Sequence, residues 1–275
     1  LALIADADAD RRTERRRDDL AEIWAQEASP YPLDEGGWLA GSLEDLQGRF
    51  NLNSLARRAE QEEGEPRLTP EQAQFVRLLL VVTEGELGEV EALSITRAIG
   101  DWLDEDSNLR PDGAEDDTYV GLTPAYRAAN RPMASVSELR AVAGVENDLF
   151  QALEPFVTVW PEQPGPLNVH TAPAALLRSL AEDDSLQPLS AADGEALVAY
   201  REENGFADLD DLLAHPVFAG RAEGMTQTLT LLGETSDYFL LSARVEVADR
   251  NTRLYSVLER KNRQVNVLQR TTGSL

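Results

Sequence analysis

The sequence contains no cysteine, which removes disulfides, thiol nucleophiles and cysteine-based zinc sites together. Lysine occurs once, at Lys261, and histidine twice, at His170 and His215. Neither histidine stands in a nucleophile motif, no Gly-x-Ser-x-Gly elbow occurs, and no glycine loop with a phosphate-binding lysine is present. Both histidines therefore read as structural or surface residues, and the chain reads as a non-enzyme. Basic residues are scarce, 25 against 50 acidic ones, for a formal net charge of −25. A nucleic-acid partner held by phosphate neutralisation is disfavoured by that balance. No apolar run reaches transmembrane length. Function then lies with cations, proteins or neutral ligands. With 275 residues and 42% hydrophobic content, the chain has material for a real core in one large or two ordinary domains. It opens at Leu1-Ala-Leu-Ile4 without a Met, the start expected of a fragment or a mature product whose targeting segment has been removed.

What the chain does have is carboxylates in one place. Asp101 to Thr118 holds eight of them and one basic side chain. Counted from Asp104, the oxygen donors fall at position 1 (Asp104), 3 (Asp106), 5 (Asn108), 7 (the Arg110 carbonyl), 9 (Asp112) and 12 (Glu115), the offsets of an EF-hand loop. Position 6, normally glycine, is Leu109, and the glycine falls at Gly113 instead, so a true EF-hand turn is not expected. Hard oxygens without His or Cys suit Ca²⁺ rather than a transition metal. Asp116 is a further candidate ligand, and Asp101 and Asp117 would serve a second ion. The bland alternative is a solvated acidic loop. Paired carboxylates of a hydrolase also exist here, but among 50 acidic residues spacing alone does not single any pair out.

The N-terminal stretch to about Arg17 reads as the end of a helix, with Asp8 facing Arg12 and the arginines on a solvated face. Leu20–Trp24 is a short amphipathic stretch before Pro30 and Pro32. Trp38 to Leu46 alternates as a strand that ends by Gly48. Thr69-Pro-Glu-Gln72 is a capped helix start, and Phe75, Leu78, Leu79 and Val82 continue it at helical spacing. A second apolar stripe, Val90 to Trp102, places Asp101 on the last turn of a helix. Tyr238–Val247 reads as a strand, Asp249–Thr252 as a turn, Arg253–Arg260 as the return strand and Val265–Gln269 as a third. Strands thus bracket a helical block. The expected architecture is α+β: residues 1–51 with 236–275 form one discontinuous domain, and an all-α domain spanning 52–235 is inserted into it.

Within the insert, Ser135–Val145 with Leu149–Val157, and Leu167–Leu177 with Leu197–Leu213, resemble halves of helix-hairpin-helix modules of DNA-uptake proteins. A DNA-backbone grip is poorly served by them. The first hairpin offers only Ala143-Gly144-Val145, the second is the acidic Glu182-Asp-Asp184, and phosphate-pairing side chains are sparse.

Six blocks occur in order: Gly41-Ser-Leu-Glu-Asp-Leu-Gln-Gly-Arg-Phe-Asn-Leu-Asn53, Asp101-Trp-Leu-Asp104, Gly113-Ala-Glu-Asp116, Tyr126-Arg-Ala-Ala-Asn130, Ser135-Val-Ser-Glu-Leu139 and Leu167-Asn-Val-His-Thr-Ala172. Together they resemble the K-type minor pseudopilins of bacterial type II secretion systems. The resemblance implies a pseudopilin fold, an N-terminal helix plus a small antiparallel sheet with a large α-helical insert. It implies a periplasmic subunit at the pseudopilus tip, in complex with I-type and J-type minor pseudopilins and with the H-type as a further partner. It also implies structural Ca²⁺, one or two ions, in the α-domain. The family's hydrophobic membrane helix, the anchor to the inner membrane, lies outside this sequence, and His170 stands where the family commonly has Asn.

Overall fold

The computed structural model describes residues 2–13, 17–26, 28–34, 36–58 and 68–273. The expected Asp8–Arg12 pair and the solvated arginine face rest on side chains outside the described set. Within it, Asp8 meets Arg263 at 2.6 Å.

The chain divides into two compact units. The first comprises Leu1–Gly48, Asn168–Thr171 and Gly233–Leu275. Its helix α1 (Ala2–Thr13) packs on a five-stranded, fully antiparallel sheet. The strands lie in the order Tyr31–Leu33, Gly37–Asp45, Tyr238–Val247, Arg250–Lys261 and Gln264–Thr271. The register puts Leu43 opposite Leu241 and Phe239 opposite Leu258. Alternation turns these residues to one face, where Leu3 and Trp24 close the core. Trp24 meets Phe239 edge-on at 5.1 Å between centroids, a favoured aromatic geometry.

The edge strand Tyr31–Leu33 was not expected. Pro32 correctly signals the absence of helix there, and an edge is where a strand tolerates proline. The turn expected at 249–252 is shorter: Val247 pairs with Arg250, and left-handed Ala248 (φ 51°) closes a two-residue connection. The next hairpin turns through Asn262 and Arg263, with φ of 52° and 61°, the conformation of a type I′ turn.

The insert boundaries also differ from the expected 52–235. Asn168–Thr171 belongs to the first unit, for a reason that lies in buried polar chemistry. Fully buried Asn168 donates through Nδ2 to the Asp18 carbonyl (3.0 Å), Asp45 Oδ2 (3.1 Å) and Ser236 Oγ (2.9 Å). Asp45 Oδ2 also accepts from Thr171 Oγ1 at 2.5 Å and Ser236 Oγ at 2.6 Å. Arg260 ties Asp18 at 2.6 Å. Burial pushes the Asp45 carboxyl above its ordinary value, against the lowering effect of the Ser236 and Thr171 hydroxyls and the Gln47 N–H. Asn168→Ala strands several of these groups, and about 2–4 kcal/mol of stability in urea unfolding is the expected loss. A loss within experimental error would show that the network does not hold the segment.

The second unit, Arg49–Leu167 with Ala172–Leu232, is mainly helical but not all-α. Phe50–Asn51 pairs in parallel with Val157–Thr158, supported by Phe50 against Phe75 at 5.1 Å and Asn51 Nδ2 donating to the Pro161 carbonyl at 2.7 Å. Helix α2 (Pro70–Val82) starts with the expected capping box, Thr69 with Gln72. Helix α3 (Glu89–Leu103) presents Ala92, Ile95, Ala98, Ile99 and Trp102 inward and ends two residues after it delivers Asp101.

Candidate metal centre

Helix α3 gives the acidic loop a rigid base. Asp101, on its last turn, is fully buried and faces back into the loop it precedes. It accepts the backbone N–H of Arg110 at 3.3 Å and of Ala114 at 3.0 Å, and the Arg110 guanidinium lies 3.6 Å away. Burial raises its pKa to about 6 against the pull of those donors. Asp101 therefore organises the loop through its two N–H contacts.

Two glycines make the close approaches possible. A Cβ on Gly113 would lie 2.1 Å from Asp101 Oδ2, and one on Gly100 would lie 1.3 Å from Arg110 Nη1 and 3.1 Å from the Leu55 carbonyl. The Arg110 side chain, 6% exposed, threads past Gly100 to the Ala56 carbonyl (2.9 Å) and to Asp104 Oδ2 (3.0 Å). Gly100→Ala is expected to displace it and cost about 1–3 kcal/mol by overpacking. Unchanged thermal stability would mean that Arg110 has room the packing does not show.

The carboxylates of Asp104, Asp106 and Glu115 converge, with one oxygen of each within 4.8 Å of the others. These are positions 1, 3 and 12 of the expected loop. Asp104 Oδ2 accepts from Arg58 at 3.2 Å, Oδ1 has no hydrogen-bond partner, and burial raises its pKa. Asp106 is the exposed member. It accepts the Asn108 N–H at 2.7 Å and Arg58 at 3.1 Å, and the Asn108 N–H chiefly lowers its pKa. Glu115 is 6% exposed, and neither of its oxygens has a hydrogen-bond partner. Burial, reinforced by the Asp101 and Asp104 charges, raises its pKa to about 7, and the adjacent Asp116 amide offsets this only in part. A buried carboxylate with no donor is costly unless a cation offsets it.

The other candidates are placed elsewhere in the loop. The Asn108 carbonyl accepts from Arg58 at 2.6 Å, and the Arg110 carbonyl accepts from Gly113 N–H at 2.9 Å. Asp112 is left-handed (φ 55°) and exposed, with its carboxylate 3.4 Å from Arg97. Asp116 accepts the Ala128 N–H at 3.1 Å and lies 3.7 Å from Arg127. Asp117 is exposed. Leu109, at the usual glycine position, is 59% exposed, and the left-handed residue of this loop is Asp112, so the turn is not that of an EF-hand. Sequence reasoning missed Arg58 altogether, because nothing local marks it: its partners lie 46 to 50 residues away.

The donor set fits a hard divalent ion such as Ca²⁺. Asp104, Asp106 and Glu115 would hold it, and it would supply charge neutralisation to a buried carboxylate that otherwise has none. Next to the loop Tyr119 and Tyr126 stack at 5.3 Å, and Trp102 meets both edge-on at 5.3 and 6.2 Å.

Residues 48–162 and 167–231 match two family models, both described as Type II secretion system (T2SS), protein K. The chain belongs to this family. A Pseudomonas aeruginosa type II secretion system protein K is 36% identical, over 93% of this chain and 71% of its own length. The Pectobacterium carotovorum protein K is 32% identical, over 91% of this chain and 74% of its own length. A chain of the crystal structure of the GspK-GspI-GspJ complex from enterotoxigenic Escherichia coli superimposes with a TM-score of 0.79 at 27% identity, covering 100% of this chain and 96% of that one. This family member is thus a minor pseudopilin, a structural component of type II secretion rather than a known enzyme. No helix among the described residues is long and apolar enough to cross a membrane.

The acidic hairpin Glu182–Asp184 is occupied internally. Asp183 accepts the Gln227 and Thr228 N–H groups, each at 2.8 Å, and the Glu182 carbonyl accepts from Arg77. A phosphate-gripping hairpin needs free N–H donors and positive potential, and this one presents carboxylates.

Proposed function

We propose that this chain is a periplasmic tip subunit of the type II secretion pseudopilus, which caps the assembly together with I-type and J-type minor pseudopilins. The observation that carries this reading is the likeness, over nearly the full length of both chains, to a chain from the GspK-GspI-GspJ complex. The mechanism is mechanical. The N-terminal helix joins a helical bundle with its partners, and the bulky second unit leaves no place for another subunit above it. Structural Ca²⁺ at Asp104, Asp106 and Glu115 supports that role by offsetting carboxylates that otherwise drive the loop open.

Co-expression with I-type and J-type pseudopilins of the same secretion system should yield a stable ternary complex by size exclusion. An H-type subunit is the next expected member, and the same experiment tests it. Failure of the chain to co-elute with either the I-type or the J-type protein, under conditions where both are folded, would sink the proposal.

A further inference from the structure

The Arg58 guanidinium stands where the cation's charge is needed. Its Nη2 reaches Asp104 Oδ2 at 3.2 Å, Asp106 Oδ1 at 3.1 Å and the Asn108 carbonyl at 2.6 Å. Two of these belong to carboxylates that converge with Glu115, and the third is a candidate ligand from the same loop. The neighbouring Arg57 is engaged elsewhere, with Glu71 at 3.4 Å. Arg110 also touches Asp104, but it is buried and bonded to the Ala56 carbonyl, so it is a fixed counter-charge. The Arg58 side chain is 38% exposed and is free to swing into solvent.

We infer that Arg58 is a built-in competitor for the divalent ion: it holds the metal-free loop together and must leave when the ion binds. Ca²⁺ sits about 2.3–2.6 Å from its oxygen ligands. An ion bound to Asp104 and Asp106 would therefore lie close beside a guanidinium bonded to the same groups. Repulsion between a divalent ion and that charge at such a separation outweighs one partly exposed ion pair. Glu115 is the group the competitor does not reach. Its partnerless carboxylate leaves the loop under-neutralised in the arginine-bound state, which is why the exchange favours the ion. The residue thereby sets the affinity and links ion binding to release of its own side chain.

This inference rests on the calcium reading, and the test separates the two. Titration calorimetry of the full chain with calcium chloride is compared for wild type, Arg58→Gln and Arg58→Lys. Arg58→Gln should bind roughly three- to tenfold more tightly, the order expected for removing one competing ion pair, and should melt lower than wild type in chelator. Arg58→Lys, which keeps the charge, should stay near wild type. Wild-type binding with unchanged or weaker affinity in Arg58→Gln overturns the competitor role and leaves the calcium site standing. Arg58→Lys matching Arg58→Gln overturns it too, because shape rather than charge is then at work. Absence of binding in all three proteins removes the calcium site, and the competitor role with it.

Discussion

Chelation should lower the melting temperature of the wild-type chain by about 5–10 °C and leave the Asp104→Ala/Asp106→Ala variant unmoved. The magnitude follows from mass action. An ion present at about one hundred times its dissociation constant stabilises by about 2.7 kcal/mol, and each kcal/mol shifts a unit of this size by about 2–4 °C. Direction is carried by Glu115, whose burial and neighbours raise its pKa to about 7. A carboxyl with a raised folded-state pKa contributes stability that is present below its unfolded value, about 4.3–4.5, and lost as pH rises through the folded one. The metal-free chain should therefore weaken between about pH 4.5 and 7, while the ion, which needs the charged carboxylate, binds better as pH rises. Calcium-dependent stabilisation should accordingly be larger at pH 8 than at pH 5.5. Thermal melts at the two pH values, with and without chelator, check both statements. A wild-type curve that chelator does not move would falsify the calcium site.

The second large effect is expected at Arg77, which carries no motif and touches no ion. Its side chain is fully buried. Nε donates to the Ser179 carbonyl at 2.6 Å, and Nη1 donates to the Ser185 carbonyl at 2.7 Å and the Glu182 carbonyl at 3.3 Å. Helix α2 thus plugs the 179–185 turn from within. Burial lowers the pKa of Arg77 to about 10, with Asp183 and Glu182 working the other way, so the guanidinium stays charged at neutral pH. Arg77→Leu removes every donor while keeping apolar bulk, and one buried and two part-buried carbonyls lose their partner. About 3–5 kcal/mol is the expected loss, by analogy with breaking a buried polar pair from one side. Arg77→Lys should recover only part of it, because a single ammonium cannot span the planar fork of contacts. Denaturant unfolding of the two variants reads this directly. A loss below about 1 kcal/mol for Arg77→Leu would mean that the turn finds other donors.

Much of the fold was legible from local pattern. The Thr69 cap, the stripe that carries α3 to Asp101, and the alternation in Tyr238–Val247 depend on neighbours a few residues away, where the chemistry of a cap or the period of a helix or strand is written. The six ordered blocks were enough to indicate the family. Of the acidic loop's candidates, the fold brings positions 1, 3 and 12 together; that they hold an ion is the proposal the chelation experiment tests. Asp112, at position 9, turns away to Arg97 because the chain is left-handed there rather than at position 6.

The tertiary structure alone decided the rest. It brought Arg58 to a loop some fifty residues distant, buried Arg77 under a turn more than one hundred residues on, and assigned Asn168–Thr171 to the first unit through Asp18, Asp45 and Ser236. Each of these is a charged or polar group whose partner is set by long-range packing. Burial makes such a partner obligatory, but which residue supplies it depends on where the folded chain returns. By itself the sequence indicated the main helices, the central strands of the sheet and the family. Which carboxylates are neutralised, by whom, and which one is left without a hydrogen-bond donor was decided by the fold.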